Sequence, residues 1–474
     1  MTFSDPLLAA WEETLHRRRH LPAVLDENGD VSRTFDQIEQ RAQGFYRELE
    51  SFEPGQVIAV QIGNHPDWPS IFLACLRRQA VMLPIDQSVS SQDRTTALDI
   101  CRASGLVTAS ANGKKSPNDC QPAVAGLTHQ GVGWGKHLPA LLKLTSGTTA
   151  APRAVRFRSE QLIADCVQIC DTMGITEHDL NFGVIPISHS YGFSNLLTPL
   201  LVRGVPMALS SDRLPRAVVH NFHRSGATVF PGMPVFYQAF NEMADQASLG
   251  KIRLCISAGA PLTGAIAQQF RDKFSLGIHS FYGSSECGGI CYDRDASSLE
   301  DGLVGTPLEG VRLERLQPDD GRATQIRVQS EAAGDGYFPE PDEAKLGQGR
   351  FTPDDLLIRT ANGWKIVGRV SDLINVAGKK VNPAEVEAEL LTVPGVREAI
   401  VFGRNSSLRH QEVAACVVAS SGLSENDLLK MCRQRLSGWQ VPKRIFLLDR
   451  LPVNERGKIS RRELSARFAE ERNV

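Results

Sequence analysis

Short apolar runs alternate with amphipathic stretches through the first two thirds of the chain. Residues 57–62 (VIAVQI) have the composition of a buried strand, residues 68–77 (WPSIFLACLR) that of the helix after it, and residues 81–86 (VMLPID) that of the next strand. The pattern recurs further on, with predicted strands at 182–185, 205–209, 227–230 and 253–257 and a predicted helix that starts near Gly192. Alternating strands and helices of these lengths predict βαβ units built around parallel sheets.

The pattern changes between residues 306 and 367, where short strands of alternating polarity (VRLERL, TQIRVQS and WKIVGR) predict a β-rich subdomain. After Arg369, a βαβ-like segment and a basic terminal stretch together have the length of a small domain. We therefore predict an α/β protein with a large N-terminal domain, residues 1–369, made of βαβ subdomains and a β-rich subdomain, and a small, mobile α+β C-terminal domain, residues 370–474. The polar residues 109–121 are predicted to form an exposed loop.

Composition and charge limit the partners and the cellular location that are expected for this chain. A chain of 474 residues with 42% hydrophobic residues can bury more than one core, and its net charge of −2 gives no general case for a nucleic acid or an anionic membrane as partner. From Val370 onward there are 17 Lys and Arg against 13 Asp and Glu. This excess of basic residues fits a small domain that closes over a nucleotide, and it fits a solvated surface of mixed charge equally well. The ten cysteines lack zinc-site spacing, and neither a signal peptide nor a membrane span is visible, so reduced thiols and a cytoplasmic protein are expected.

A hydroxyl-rich turn, residues 144–155 (LTSGTTAAPRAV), lies between an apolar run and a helical stretch. Its side-chain hydroxyl groups and its backbone amides can all donate hydrogen bonds to phosphate oxygens. The residues that supply these donors are Thr145, Ser146, Gly147, Thr148 and Thr149. No lysine follows a second glycine here, so the turn is not a Walker A loop.

This turn resembles the T-S-G-T-T-G-x-P-K-G loop of the adenylate-forming superfamily, which includes acyl- and aryl-CoA ligases, nonribosomal adenylation domains and firefly-type luciferases. Residues 281–286 (FYGSSE) resemble the family's Y-G-x-[ST]-E motif, and residues 368–372 (GRVSD) resemble its hinge sequence G-R-x-x-D. Residues 373–390 and 451–464 resemble the segment after the hinge and the segment around the catalytic lysine, here Lys458. The resemblance covers nearly the whole chain and implies an AMP-forming acyl- or aryl-CoA ligase that uses ATP, Mg²⁺ and CoA.

The resemblance also implies how the motifs act on ATP. The loop from Thr145 to Thr149 would hold the β- and γ-phosphates, and Glu286 would coordinate Mg²⁺, a cation that prefers oxygen ligands. Lys458 would bridge the acid's carboxylate and the α-phosphate, which offsets the repulsion between two anions that must meet. Thr149 and His189 complete the set of residues expected to act in catalysis.

A second group of residues is expected around the nucleoside. Asp355 resembles the ribose-binding acid of the family's T-G-D-L segment, and counting back from Asn362 favours it over the neighbouring Asp354. Arg369 would be its companion at the ribose, with a hinge salt bridge as the plainer role. Adenine is expected on a turn of small residues and against an aromatic face. The residues expected at the adenine are Gly259, Ala260, Pro261, Tyr282, Gly283 and Ser285.

The phosphate loop departs from the family pattern at three positions. Ala150 and Ala154 replace glycines, which restricts positive φ, and Arg153 replaces a lysine with a bidentate phosphate binder. These departures leave open how well the chain uses ATP, and a degenerate adenylate-binding protein without catalysis is the alternative. An enzyme is favoured because the chain keeps the chemical residues of the motifs, namely Glu286, Asp355, Arg369 and Lys458.

Residues 186–195 (PISHSYGFSN) lie in the segment that lines the acyl pocket in the family. The segment contains no acid to pair with an α-ammonium group, which favours a carboxylic acid without an α-amino group. Small residues after Glu286 leave room for an aromatic or a medium-to-long acyl group. The expected pocket residues are His189, Tyr191, Phe193, Ala258, Gly283, Cys287 and Gly288.

Residues 377–380 (AGKK) resemble the strand and turn that line the pantetheine tunnel of CoA ligases. Gly378, Lys379 and Lys380 are therefore expected near the thiol, and Asp372 is the expected hinge. Free CoA is the favoured acceptor, the phosphopantetheine of an acyl carrier protein is the alternative, and a luciferase-like oxygenase would share the first half-reaction. The expected partners are thus a small carboxylic acid and CoA or a carrier protein, with the oligomeric state open.

Overall fold

The protein is described by a computed structural model. The structure describes residues 5–109, 121–129, 131–145, 153–244, 248–296, 299–317, 321–376, 379–406, 410–420, 422–452 and 461–468. The chain divides into two compact units: unit one contains Met1–Glu314, Arg327–Pro353 and Thr360–Lys365, and unit two contains Arg315–Ile326, Asp354–Arg359 and Ile366–Val474. The predicted exposed loop at 109–121 falls almost wholly outside the described residues, and the predicted domain boundary at 370–372 stays a prediction.

Helices and strands alternate along the first half of the chain, as the hydrophobic pattern predicts. The elements up to residue 203 are α1 (Pro6–Arg18), β1 (Pro22–Asp26), β2 (Val31–Thr34), α2 (Phe35–Glu48), β3 (Val57–Gln61), α3 (Trp68–Arg78), β4 (Val81–Pro84), α4 (Ser91–Ile100), β5 (Ala103–Ala109), β6 (Pro122–Gly126), β7 (Leu141–Thr145), β8 (Arg153–Phe157), α5 (Ser159–Met173), β9 (Asn181–Gly183), α6 (Ser190–Gly192), a π-helical turn (Phe193–Leu197) and α7 (Thr198–Arg203).

Strands become more frequent after residue 250. The remaining elements up to residue 372 are β10 (Met207–Leu209), α8 (Pro215–Ser225), β11 (Val229–Gly232), α9 (Pro234–Glu242), β12 (Leu254–Ser257), α10 (Gly264–Phe274), β13 (Ile278–Ser284), β14 (Gly288–Tyr292), β15 (Leu303–Pro307), β16 (Arg312–Arg315), β17 (Thr324–Gln329), β18 (Gly336–Phe338), β19 (Leu346–Gly347), β20 (Arg350–Phe351), β21 (Asp355–Thr360), β22 (Gly363–Arg369) and a 3₁₀ turn (Val370–Asp372). The predicted β-rich segment is confirmed.

The first sheet of unit one has the strand order β18-β8-β7-β4-β3-β5-β6. Strand β3 lies parallel to β4 and β5, and all of its residues are buried, which is why its sequence is a continuous apolar run. The predicted helix at 68–77 is α3, with Pro69 in its first turn and Gln79 in the left-handed conformation at its end. The strand predicted to reach Asp86 ends at Pro84, and the next N–H, that of Ile85, still donates to the Val60 carbonyl oxygen at 2.9 Å.

The second sheet of unit one is mainly parallel and contains the consecutive neighbours β1, β10, β9, β11, β12 and β13. Its core is rich in aromatic side chains. The rings of Phe222 and Phe230 lie 4.9 Å apart, those of Tyr237 and Phe270 lie 5.2 Å apart, and all four side chains are buried. The helix predicted near Gly192 begins at Ser190 and continues through the π-helical turn.

Unit two is built around a five-stranded sheet. Its elements are β23 (Ile374–Val376), β24 (Lys379–Val381), α11 (Pro383–Leu391), β25 (Val396–Ser406), β26 (His410–Ala419), α12 (Glu425–Arg435), β27 (Arg444–Leu447) and α13 (Arg461–Arg467). Alternate residues of β25 enter different cores, with Val401 packed in the cluster of α11 and α12 and Phe402 in the cluster of α13. The sheet is therefore covered on both faces, and the predicted α/β class with a small α+β C-terminal part is confirmed.

The described residues bear on the cysteines and on membrane-spanning helices. Each of the nine described cysteines is buried and carries a free thiol. Among the helices that the structure describes, none has the length and apolar character to cross a membrane.

The aromatic core of unit one gives a stability prediction. Phe230→Ala removes a fully buried ring, so we expect the free energy of unfolding to fall by about 3–5 kcal/mol. Val235→Ala, at a 61% exposed position on the adjoining helix α9, is the control and should change stability by less than about 0.5 kcal/mol. Chemical denaturation of both variants measures the difference, and equal losses would contradict the described packing.

Candidate functional site

The two ends of the phosphate loop are joined by strand pairing. Strands β7 and β8 run antiparallel with Thr145 opposite Arg153, and the Thr145 hydroxyl donates a hydrogen bond to the Arg153 carbonyl oxygen at 3.1 Å. The hairpin therefore fixes where the loop begins and ends. The predicted loop residues Ser146, Gly147, Thr148 and Thr149, and the departure at Ala150, lie outside the described residues.

A chain of contacts links the end of this loop to the predicted metal ligand. The Arg153 guanidinium lies 4.0 Å from the ring centre of Tyr337, and the Tyr337 hydroxyl donates to Glu286 Oε1 at 3.2 Å. Tyr337 is in place because β18 pairs antiparallel with β8, which puts Tyr337 opposite Val155. The flat guanidinium of arginine stacks on an aromatic ring, which gives the lysine-to-arginine departure at this position a packing partner.

Glu286 is half-buried, and its surroundings make its charged form costly. Burial raises the pKa of the Glu286 carboxyl, while hydrogen bonds that involve Tyr337 and Ser284 oppose this rise. A cation beside it would favour the carboxylate further. Within the described parts of the chain, no cluster of three or more His, Cys, Asp or Glu side chains is able to hold a metal. A magnesium ion here would thus combine Glu286 with phosphate oxygens of the nucleotide, which is how this cation is commonly bound.

The predicted acyl-pocket segment is held by a polar side chain from another part of unit one. The Asn64 amide donates to the carbonyl oxygens of Gly183 and Ile185 at 3.1 and 3.0 Å and accepts from the Ile187 N–H at 3.0 Å. The chain then turns so tightly that a Cβ atom at Gly192 would lie 2.1 Å from the Pro186 carbonyl oxygen. These contacts fix the path of the residues between them, which include the predicted His189 and Tyr191.

His189 has a carboxylate partner that the sequence did not reveal. Its Nε2 lies 3.2 Å from Asp86 Oδ2, and the Ser188 hydroxyl donates to the same oxygen at 3.2 Å. The hydrogen bond from His189 is the largest influence that holds the pKa of Asp86 well below its usual range. A usable signal existed, because Asp86 is the last residue of a predicted strand, and polar residues at the carboxyl ends of parallel strands gather at the functional edge of such sheets.

The remaining predicted acyl-pocket residues are mostly buried. Phe193, Ala258 and Cys287 are each less than 9% exposed, and burial raises the pKa of the Cys287 thiol. Gly288 has φ +68°, and a Cβ atom there would lie 2.0 Å from Asp165 Oδ1. No larger residue fits at this position without moving the buried acid.

Two polar contacts join the acyl segment to the turn that carries Glu286. The Ser190 hydroxyl donates to Ser285 Oγ at 2.9 Å. Behind the pocket residues, the Ser194 hydroxyl donates to Asp165 Oδ2 at 2.5 Å, and Asp165 Oδ1 accepts from the Gly289 N–H at 3.0 Å. The acyl segment and the Glu286 turn are therefore held as one piece of unit one.

The residues predicted for adenine follow two neighbouring parallel strands. Strands β12 and β13 pair in parallel, so the turn of Gly259, Ala260 and Pro261 after β12 lies at the same edge as the end of β13, which carries Tyr282 and Gly283. All three turn residues are exposed, and Gly259 has φ +84°, a conformation that favours glycine. Tyr282 is only 9% exposed, so stacking of adenine on its ring stays a prediction.

The adjacent acids Asp354 and Asp355, both in unit two, have different partners. Asp355 Oδ1 lies 2.9 Å from Arg369 Nε, which pairs the two residues predicted at the ribose. Asp354 instead accepts from the Val370 N–H through its carbonyl oxygen at 2.8 Å and from the Ser371 N–H through its carboxylate at 3.2 Å. Asp354 is thus engaged by the hinge backbone, which supports the choice of Asp355 for the ribose.

The predicted hinge and thiol residues also lie in unit two. Asp372 Oδ2 is 2.7 Å from Arg461 Nη1, and the Lys379 ammonium lies 3.7 Å from the ring centre of the partly exposed Trp439. Lys380 is the exposed middle residue of β24. Gly378 and Lys458 lie outside the described residues, so their predicted roles stay predictions.

The fold and the motif residues together define an adenylate-forming enzyme of two units. The family described as AMP-binding enzyme matches residues 11–338, and the AMP-binding enzyme C-terminal domain matches residues 385–458. The chain belongs to the AMP-binding enzyme family, and the resemblance drawn from its motifs is confirmed.

Several proteins are similar over nearly the full length. A feruloyl-CoA synthase of an Amycolatopsis species is 26% identical over 97% of this chain and 99% of its own, and an oxalate–CoA ligase of Arabidopsis thaliana is 24% identical over 96% of each. Among solved structures, ATP-bound MatB from Rhodopseudomonas palustris has a TM-score of 0.82 at 22% identity, covering 98% of this chain and 99% of its own. At that identity the structural likeness establishes the fold alone.

The contact between Tyr337 and Glu286 gives a prediction. Tyr337→Phe keeps the ring under Arg153 but removes a hydrogen bond to a charged group, worth about 1.5–3 kcal/mol. We expect ATP–pyrophosphate exchange to slow by about 10- to 100-fold without loss of folding. Tyr46→Phe, at an exposed tyrosine of α2, is the matched control and should leave exchange unchanged. Normal exchange in Tyr337→Phe would show that the hydroxyl does not orient Glu286.

Proposed function

We propose that this chain is an ATP-dependent, AMP-forming ligase that activates a carboxylic acid without an α-amino group and transfers the acyl group to CoA. The ligase class itself is confirmed by the family and by full-length relatives that are CoA ligases. The observation that carries the proposal is the chain of contacts from Arg153 through Tyr337 to Glu286, which ties the phosphate-loop hairpin to the acid of the Y-G-x-[ST]-E motif.

In the first half-reaction, an oxygen of the acid's carboxylate attacks the α-phosphorus of ATP, which gives acyl-AMP and pyrophosphate. Thr145 and the loop to Thr149 hold the β- and γ-phosphates, with Arg153 at the end of the hairpin. Glu286 would hold Mg²⁺, which would neutralise phosphate charge when bound. Lys458 would offset the repulsion between the two reacting anions.

A separate set of residues is proposed to bind the nucleoside. Asp355, oriented by Arg369, accepts hydrogen bonds from the ribose hydroxyls. Adenine lies at the turn of Gly259, Ala260 and Pro261, where exposed small residues permit close approach of a planar base. Tyr282, Gly283 and Ser285 form the rest of the proposed adenine site.

The acid is proposed to have no α-amino group and to be aromatic or of medium-to-long chain length. An α-ammonium group needs a carboxylate in the pocket that has no other partner. Asp86 is already engaged by His189 and by serines, and Asp165 by Ser194 and the Gly289 N–H. The pocket is proposed to lie among His189, Tyr191, Phe193, Ala258, Gly283, Cys287 and Gly288.

Free CoA is the proposed acceptor in the second half-reaction. Gly378, Lys379 and Lys380 are proposed to line the thiol path, and the 3′-phosphate and pyrophosphate of CoA give cationic side chains anions to bind. The phosphopantetheine of an acyl carrier protein lacks the 3′-phospho-AMP portion and is the alternative acceptor.

A panel of acids tests the function. Ferulate, benzoate, oxalate, a long-chain fatty acid and phenylalanine are each incubated with MgATP, and pyrophosphate release is followed. AMP and thioester are then measured with CoA and with a holo acyl carrier protein. We expect release with at least one acid that has no α-amino group, and thioester with CoA. ATP binding without release for any acid would favour a non-catalytic adenylate-binding protein, and thioester with carrier protein alone would overturn the acceptor.

Lys458 and the hinge residue Asp372 give a prediction about the two half-reactions. Lys458 is needed at the α-phosphate, whereas the thiol must later enter near the same carbonyl carbon, so the small domain is proposed to rotate at Asp372 between the steps. Lys458→Ala should abolish acyl-AMP formation, yet supplied acyl-AMP and CoA should still give thioester. Equal loss of both half-reactions in a folded variant would contradict this rotation.

A further inference from the structure

The pair formed by Asp86 and His189 has the geometry of an oriented imidazole. Asp86 is 13% exposed at its side chain, whereas the His189 ring is 60% exposed. The carboxylate is fixed from several directions, since it accepts from the Ser88 N–H at 2.8 Å, the Ser88 hydroxyl at 2.5 Å and the Ser188 hydroxyl at 3.2 Å. A fixed, shielded acid thus holds one nitrogen of a ring that remains open to a substrate.

A second Asp–His pair in unit one differs in this respect. His129 Nε2 lies 3.1 Å from Asp99 Oδ1, but there the acid is 60% exposed and the histidine 35% exposed. An exposed acid on a solvated helix places little restraint on its partner. The comparison indicates that the arrangement at Asp86 is built to orient His189.

The backbone of His189 lies next to a contact between the acyl segment and the turn that carries Glu286. The next residue, Ser190, is hydrogen-bonded to Ser285, which precedes Glu286. Asp86 is the charged group within ion-pair distance of His189 among the described residues, and the segment 186–195 contributes no charge of its own. With Nε2 directed at Asp86, the remaining nitrogen, Nδ1, makes no hydrogen bond to any residue that the structure describes.

We propose that Asp86 is a positioning residue that holds His189 with its Nε2–H toward the carboxylate, and that His189 Nδ1 accepts the proton of the CoA thiol in the second half-reaction. This inference rests on the proposed function. The S–H proton moves to Nδ1 while sulfur forms a bond to the acyl carbon. The bond from that carbon to the phosphate oxygen breaks, AMP leaves with the electron pair, and the imidazolium then releases its proton to solvent.

A buried acid that orients an imidazole sets which nitrogen is available and stabilises the charge that forms on the ring. Proton acceptance by a positioned side chain typically contributes about 10²–10⁴-fold to a rate. The effect is confined to the thiol step because attack on the α-phosphorus by a carboxylate requires no proton transfer. Loss of the Asp86–His189 pair is therefore expected to slow thioester formation and to leave acyl-AMP formation unaffected.

The test uses the full-length enzyme, purified adenylates of the panel acids, and CoA. Asp86→Asn keeps the shape but removes the charge, and we expect the kcat of thioester formation to fall by about 10²-fold with the KM for CoA unchanged. Acyl-AMP formation should stay within about twofold, a range that a structural defect in the pocket would exceed. Asp99→Asn, in the exposed pair, is the matched control and should leave both steps unchanged.

His189→Ala and its rescue by imidazole give a second test that does not depend on how well Asp86→Asn folds, and a double-mutant cycle joins the two tests. His189→Ala should slow the thiol step as much as Asp86→Asn does, and the double variant should be no slower than His189→Ala. Free imidazole should restore thioester formation in His189→Ala, because a small base then replaces the missing ring. Melting temperatures of all variants identify any that are misfolded.

Several results would overturn the inference. These are wild-type transfer rates in folded Asp86→Asn, equal slowing of both half-reactions, additive losses in the double variant, or no rescue by imidazole. A wild-type enzyme that makes no thioester from any supplied adenylate would contradict both the proposed function and the inference about Asp86 and His189. Normal thioester formation by both the wild-type enzyme and Asp86→Asn would contradict the inference about Asp86 and His189 alone.

Discussion

The pairing of strand β8 with β7 on one side and β18 on the other is the constraint on which the active region of unit one depends. The first pairing sets Thr145 beside Arg153, and the second brings Tyr337 under the Arg153 guanidinium. Tyr337 in turn reaches Glu286, so two strand pairs connect a phosphate loop with an acid more than 100 residues further along the chain. An enzyme that must bring two anions together needs this kind of fixed placement, because favourable electrostatics depend on groups that do not reorganise.

Polar side chains buried behind the site support the same placement. Asp165 on α5 holds both the Ser194 hydroxyl and the Gly289 N–H, and the Lys143 ammonium lies 3.4 Å from Ser194 Oγ. Burial lowers the pKa of Lys143, while the nearby Asp165 opposes the change. Because a partly satisfied buried network is costly, these contacts favour one arrangement of the acyl segment and the Glu286 turn over others.

The sequence was sufficient for the features that depend on local pattern. Strand β3 and helix α3 follow from an apolar run and from a proline-led apolar stretch, and the motif that ends in Glu286 is visible in the sequence, while its metal role stays a prediction. The contacts of Tyr337 and Asp86 were missed because they arise from strand pairing and loop approach between distant segments; the one local signal was the place of Asp86 at the end of a predicted strand. Asp354 and Asp355 combine both cases: counting along the motif favours Asp355, whereas the contacts of Asp354 with the hinge backbone could be seen only in the structure. The ribose role of Asp355 stays a prediction.

Oxygen-18 labelling shows whether the carboxylate itself attacks the α-phosphorus of ATP. The enzyme is supplied with MgATP, CoA and whichever panel acid reacts, with both carboxylate oxygens replaced by oxygen-18. An acyl-adenylate route leaves one carboxylate oxygen on the phosphate of AMP, so we expect AMP that carries a single label and pyrophosphate that carries none. Label in inorganic phosphate with ADP as product, or unlabelled AMP, would contradict this route.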